Sequence, residues 1–236
     1  VTVRSWDDAV AYAQDELAKA GDLEGRLEGY AETAARLSVQ IDVVEQARPA
    51  LDAIQKLRGV NVPLVGDGWQ ILLALLSLAT VDGAKILARL EEVLRALAEL
   101  KESLDNLNGL TDTADALRAF RNEPTPRTLA AAADASATAT PALSRLQSDL
   151  SRVLKPLKDV AGNLSGLVKG LQGAADAHIP LVSDAARTAA ERIGPIEGPL
   201  VDLRDGLEQL HLNIQADMKT LENIQEVTHR AQQLGD

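Results

Sequence analysis

Leucine, isoleucine and valine recur in alternating steps of three and four along most of this chain, and that spacing limits the fold more than any motif does. One row runs Leu72, Leu76, Ala79, Gly83, Ile86, Leu90, Val93, Leu97, Leu100, Leu104, Leu107. Another runs Leu143, Leu146, Leu150, Val153, Leu157, Val160, Leu164, Leu167, Leu171, Ala174, and a third runs from Ile193 through Leu200, Leu207 and Ile214 to Leu221. The first segment carries Trp6, Val10, Ala13, Leu17, Ala20, then Leu23, Leu27, Tyr30, Ala34, Leu37, Ile41, Val44, with a step of three after three beside Gly21. Rows of this kind line one side of a helix and resemble a coiled-coil seam. Leu73, Leu87 and Leu94 widen the stripe, which favours a bundle over a two-stranded coil.

Composition removes the alternatives. Ala and Leu supply 38 residues each of 236, aromatic residues make up 2%, and there is no cysteine. A disulfide framework, cysteine zinc sites and thiol catalysis are excluded. A β-sandwich would need β-branched and aromatic residues at period two. The chain is therefore expected to be all-α.

An internal match refines this. Val62-Pro-Leu-Val-Gly-Asp67 returns as Ile179-Pro-Leu-Val-Ser-Asp184, 117 positions later. At the same offset Ile86, Leu90, Val93 and Leu97 fall on Leu203, Leu207, Leu210 and Ile214. The expectation is a duplication. Residues 1–117 form one long helical hairpin with its tip near 59–68, and residues 118–236 a second with its tip near 176–184. Together they build one elongated, rod-like antiparallel four-helix bundle. Ser5 and Asp67 read as helix caps, Asn108-Gly109 as a helix stop, residues 108–127 as the connection between the hairpins with Glu123-Pro-Thr-Pro126 as its breaker, and Thr140-Pro141 as a cap before a first-turn proline.

Charge bears on partners. The net charge is -11, with the excess acid concentrated in residues 1–117. Phosphate neutralisation needs clustered Lys and Arg, so a nucleic-acid partner is not expected. No uninterrupted apolar run reaches the length of a membrane span, and no signal peptide is read. The chain begins at Val1 and has a single methionine, Met218, which fits a processed or trimmed product. An extracytoplasmic or cell-envelope location is favoured over a cytoplasmic one.

Chemistry-bearing motifs are sparse. Glu208/His211 and Glu226/His229 have the Glu-x-x-His spacing of bundle metal ligands, but both lie on one helix, away from its core row. No nucleophile triad or phosphate loop is present. No catalytic residue, metal ligand, cofactor or small-molecule substrate is therefore expected, and the chain reads as non-enzymatic. The glycines at 162, 166, 170 and 173 read as close packing or as a hinge.

The tips remain. Val62, Pro63, Leu64, Val65 and Trp69, with Ile179, Pro180, Leu181 and Val182, either seal the bundle end or form an exposed apolar contact surface. The preferred expectation is an interaction or scaffolding module, the soluble part of a membrane-associated or envelope protein. It would use its tips to bind a protein partner, to self-associate, or to touch a membrane surface. The alternative is a lipid-active, pore-forming or lipid-binding bundle that inserts its Leu-rich tip helix, residues 69–81.

Overall fold

The computed structural model describes residues 2–79 and 82–234, and the described chain is all-α. Its helices are α1 (Trp6–Ala20), α2 (Leu23–Glu45), α3 (Arg48–Gln55), α4 (Gly68–Leu78), α5 (Gly83–Asp105), α6 (Leu110–Asn122), α7 (Pro126–Asp176), α8 (Val182–Ile193) and α9 (Glu197–Leu234). A single 3-10 turn, Gly194–Ile196, joins α8 to α9. Two short antiparallel strands, β1 (Asn61–Val62) and β2 (Gly66–Asp67), precede α4. Thr80 and Val81, the end of the expected tip helix, lie outside the described residues.

The chain divides into two compact units that cut across the expected hairpins. Unit one takes Val1–Arg36, Glu102–Leu150 and Gln209–Asp236, and unit two takes Leu37–Lys101 and Ser151–Glu208. The heptad rows supply the cores of both. Every apolar residue named from 143 to 174 and from 193 to 221 is buried.

In unit one the core gathers Ala13, Leu17, Leu27, Phe120, Leu129, Leu143, Leu146, Ile214 and Leu221. The Ser5 hydroxyl caps α1, accepting from the Asp8 N–H at 3.1 Å. The irregular step beside Gly21 is a chain break: Gly21 has φ 68° and ψ -130°, a conformation that a side chain strains. Two arginines hold it. Arg26 donates to the Ala20 carbonyl at 2.8 Å and to Asp217 through both Nε and Nη2. Arg121 donates to the Gly21 carbonyl at 3.0 Å and grips Glu24 through Nε at 2.8 Å and Nη2 at 3.1 Å. The guanidinium groups take carbonyls that a helix end leaves unpaired. Both carboxylates are buried, Asp217 at 1% and Glu24 at 5% exposure. The Tyr30 hydroxyl also donates to Asp217. Burial, and then this bond, push the Tyr30 phenol far above its ordinary value.

Two local expectations in unit one are corrected. Thr140-Pro141 does not begin a helix, because α7 starts at Pro126 and passes straight through it. Proline removes one N–H from the ladder. Here the Thr140 hydroxyl donates to the Ser136 carbonyl at 2.7 Å, and Ala139 and Leu143 are fully buried on either side, so packing carries the helix onward. The stretch 108–127 is not a plain connection either, since it contains α6. That helix begins after Gly109, whose φ of 78° makes the turn, and ends at the expected Glu123-Pro breaker. Small residues let α6 approach α7 closely: the Thr113 hydroxyl reaches the Ala135 carbonyl at 3.0 Å.

In unit two, α8 packs on α3 and touches α4. Leu51, Ile54, Leu72, Leu76, Leu90, Leu164, Leu171 and Leu200 are buried there. Leu76 occupies a seat that two glycines provide. A Cβ on Gly83 would lie 2.3 Å from the Leu76 Cδ1, and one on Gly170 would lie 2.9 Å from its Cδ2. Of the glycines in α7, Gly170 is therefore a packing residue. A Cβ on Gly162 or Gly173 would meet nothing within 4 Å.

Candidate functional site

Both expected tips belong to unit two. The first is built by a reversal from α3 into α4. Leu57 is buried, and its carbonyl accepts from the Val60 N–H at 3.2 Å. Gly59 turns the chain with φ 75°. The strands then pair Asn61 with Asp67 and Val62 with Gly66. Between them the Val65 N–H donates to the Val62 carbonyl at 3.1 Å. Proline at the second position and φ 69° at Leu64 give this turn the type II form. The Asp67 carboxylate caps α4, accepting from the Gln70 N–H at 3.1 Å.

The second tip closes differently. The buried Ser183 hydroxyl donates to the Ala174 carbonyl and accepts from the Ile179 N–H, each at 2.9 Å. It ties the end of α7 to the start of α8. The Val182 N–H donates to the Pro180 carbonyl at 2.8 Å, which places Leu181 at the centre of a three-residue turn with φ 66° and ψ -42°. That is the rare, strained hand of the γ-turn.

The nine tip residues do not share one environment. Val62 and Val182 are buried at 1% and 0% and anchor their turns from beneath. Trp69 and Ile179 are half-buried, while Pro63 and Pro180 are exposed. Leu64 is fully exposed at 107%, Val65 at 55% and Leu181 at 53%. The Arg58 guanidinium stacks 4.5 Å above the centre of the Trp69 ring.

The start of α4 continues this apolar surface. Gly68, Leu72 and Leu76 form its buried edge, yet the helix carries no charged residue on its other sides. Leu78 is 81% exposed, and Ile71, Leu73 and Leu75 are half-buried.

The remaining motifs are engaged elsewhere. Glu208 pairs with Lys158 at 2.6 Å, Glu226 pairs with Arg230, and His229 lies 2.9 Å from the Gln233 amide. His211 is half-buried on α9. Among the described residues no group of three His, Cys, Asp or Glu side chains gathers at metal-binding distance. A cleft of about 310 Å³ lies between the start of α5 and the middle of α7, lined by Asp82, Lys85, Arg89, Asp159 and Asn163. Arg89 pairs there with Glu92 at 2.8 Å and approaches Asp159 at 4.0 Å.

Sequence reasoning identified the tips as apolar but missed their backbone. Leucine rarely takes positive φ, so the residue itself gives no signal. The proline before each leucine was the available one, because it presets the first corner of a turn. The Arg58–Trp69 stack was also missed. Comparison with protein-family models, with curated proteins and with solved structures finds no match.

Proposed function

We propose that the chain is a non-enzymatic helical interaction module, the soluble part of a membrane-associated or cell-envelope protein, which contacts its partners through the two turns of unit two. The contact groups are Leu64, Val65 and Leu181, flanked by Pro63, Pro180, Trp69 and Ile179. Val62 and Val182 support them from the core.

One observation carries this reading. Leu64 and Leu181 occupy equivalent places in the repeated Pro-Leu-Val segments, and both are exposed with positive φ. An exposed leucine costs nothing to replace by a residue that tolerates the turn, and left-handed backbone costs leucine about 1–2 kcal/mol. Strain of this kind, kept twice in an exposed apolar residue, points to use of the side chain.

The proposed architecture is a duplicated pair of hairpins, residues 1–117 and 118–236, forming an antiparallel four-helix bundle. Its support is the make-up of the units. Each takes helical segments from both sides of residue 117. The positive φ at the matching leucines Leu64 and Leu181 adds to this.

The test is a pair of substitutions with a crosslinking control. Leu64→Asp with Leu181→Asp should preserve the helical circular dichroism and the melting temperature. A photo-crosslinking residue at 64 or at 181 should trap the same partner, and one at Val39, which is exposed at 63% elsewhere in unit two, should not. Unfolding of the double variant would show that the leucines only seal the core, and the reading would fail.

A further inference from the structure

Resting on the reading that the tips are a contact surface, we infer that the partner of the first tip is an anionic bilayer surface. Leu64 and Val65 enter the acyl boundary, while Lys56 and Arg58 lie at the level of the lipid phosphates.

The argument begins with charge. The chain as a whole is strongly acidic at -11. From Lys56 to Ala79, however, the ionisable residues are Lys56, Arg58 and Asp67, a net charge of +1. Asp67 is committed to capping α4, whereas Lys56 and Arg58 are exposed. Along this stretch the two exposed cations outnumber the one acid, and an anionic headgroup layer complements them.

Shape and polarity agree. A turn that holds leucine outward with full exposure is a convex apolar point. Beside it, Trp69 offers an apolar ring and an N–H, with the Arg58 guanidinium stacked on its face. Amphipathic aromatic rings and arginine favour the water–lipid boundary, where one end is dry and the other hydrated. Behind them α4 presents uncharged sides to the exterior along 11 residues. A soluble helix usually carries charged residues there, whereas α4 exposes Ala74 and Leu78 beside Gln70 and Ser77. At 1.5 Å per residue α4 measures about 16 Å, roughly half the hydrocarbon thickness. No single described helix is long and apolar enough to cross a membrane. The arrangement fits docking at the surface.

Trp69 supplies the readout. The chain has two tryptophans, so the full chain carrying Trp6→Phe leaves Trp69 as the sole indole. Titration with phosphatidylcholine vesicles containing phosphatidylglycerol should shift its emission to the blue, and bromine-labelled acyl chains should quench it. Pure phosphatidylcholine should give a much weaker response. Removing Lys56 and Arg58 as Gln should weaken partition roughly fivefold per cation, and raised salt should do the same. Leu64→Asp with Val65→Asp should abolish quenching while the helical signal is retained.

Three outcomes overturn the inference: no partition of the parent chain into anionic vesicles, partition indifferent to salt and to the two cations, or release of an encapsulated dye, which would mean insertion through the bilayer. If the Leu64→Asp, Leu181→Asp chain stays folded while the parent ignores vesicles, the contact surface stands and its partner is a protein. If that double variant unfolds, the contact surface itself is lost, and with it this inference.

Discussion

Leu64 and Leu181 stand 117 positions apart and both hold a positive φ that leucine seldom adopts, 69° and 66°. Each follows a proline, and each points its side chain away from the core. The turns around them are not the same. The first is closed by a hydrogen bond from Val65 to Val62 and the second by one from Val182 to Pro180. Two different hydrogen-bonding solutions thus arrive at one result, an outward leucine at the apex.

The strain should be measurable as stability in reserve. Glycine takes positive φ freely, so Leu64→Gly and Leu181→Gly should each raise the unfolding free energy. The expected gain, after the greater freedom of glycine in the unfolded chain, is up to about 1 kcal/mol each. Leu→Ala at the same sites keeps the strain and should give no gain. Urea unfolding of the four single variants checks this. A loss of stability in both glycine variants would mean that the leucines are held by packing.

Asp217 is the hub of a buried set in unit one, where Arg26 and Tyr30 both donate to it. Asp217→Asn should leave the arginine without its charge partner and cost about 2 kcal/mol, less than for a fully buried pair because Arg26 is partly exposed. Replacing Arg26 and Asp217 together by apolar residues should cost less than the sum of the single changes. A double-mutant cycle in denaturant gives that coupling.

Alkaline pH should act through Tyr30. Its proton is held more tightly in the folded chain than at the ordinary value of 10.0, because burial and the bond to Asp217 favour the neutral phenol. The unfolded chain therefore releases the proton first. Tyr30's contribution is complete below pH 10 and declines above it, by at most about 1.4 kcal/mol per pH unit. Tyr30→Phe should flatten that decline. In a Tyr12→Phe background, phenolate absorbance should appear together with the loss of helicity and not before it.

The glycines of α7 should respond in opposite directions. Gly162→Ala and Gly173→Ala meet open space and should each stabilise by roughly 1 kcal/mol through helix propensity. Gly170→Ala and, more severely, Gly83→Ala press on Leu76 and should lower the melting temperature. The three α7 melts decide whether the glycine run is one device or two, and the melt of Gly83→Ala, at the start of α5, tests the same seat of Leu76.

The helical class and most of the core were legible because burial on a helix repeats at a period the eye can follow. Leu143 through Ala174 illustrates this, each step of three or four returning to the same side. Helix limits were readable only where a local cause sits at the limit, as at Ser5, Gly109 and Glu123-Pro. Pro141 misled because its local rule was outweighed by tertiary packing around Ala139 and Leu143. The Gly21 corner was visible as an irregular step, but its fastening was not. Arg26 and Asp217 are 191 residues apart, and Arg121 and Glu24 are 97 apart. No pattern along the chain connects such pairs. At the candidate site, side-chain polarity was legible and backbone strain was not, since leucine carries no preference for the conformation it holds there.

The fastening of that corner also sets terms for descent. Arg26 with Asp217, and Arg121 with Glu24, each join a buried carboxylate to a guanidinium that in turn caps a helix carbonyl. Losing one member strands a charge, whereas exchanging both for apolar residues of similar size is close to neutral. In homologous chains, positions 26 and 217 should therefore vary jointly, as should 24 and 121. The alignment of such chains would show this corner as two covarying pairs, while buried alanines such as Ala13 drift one at a time.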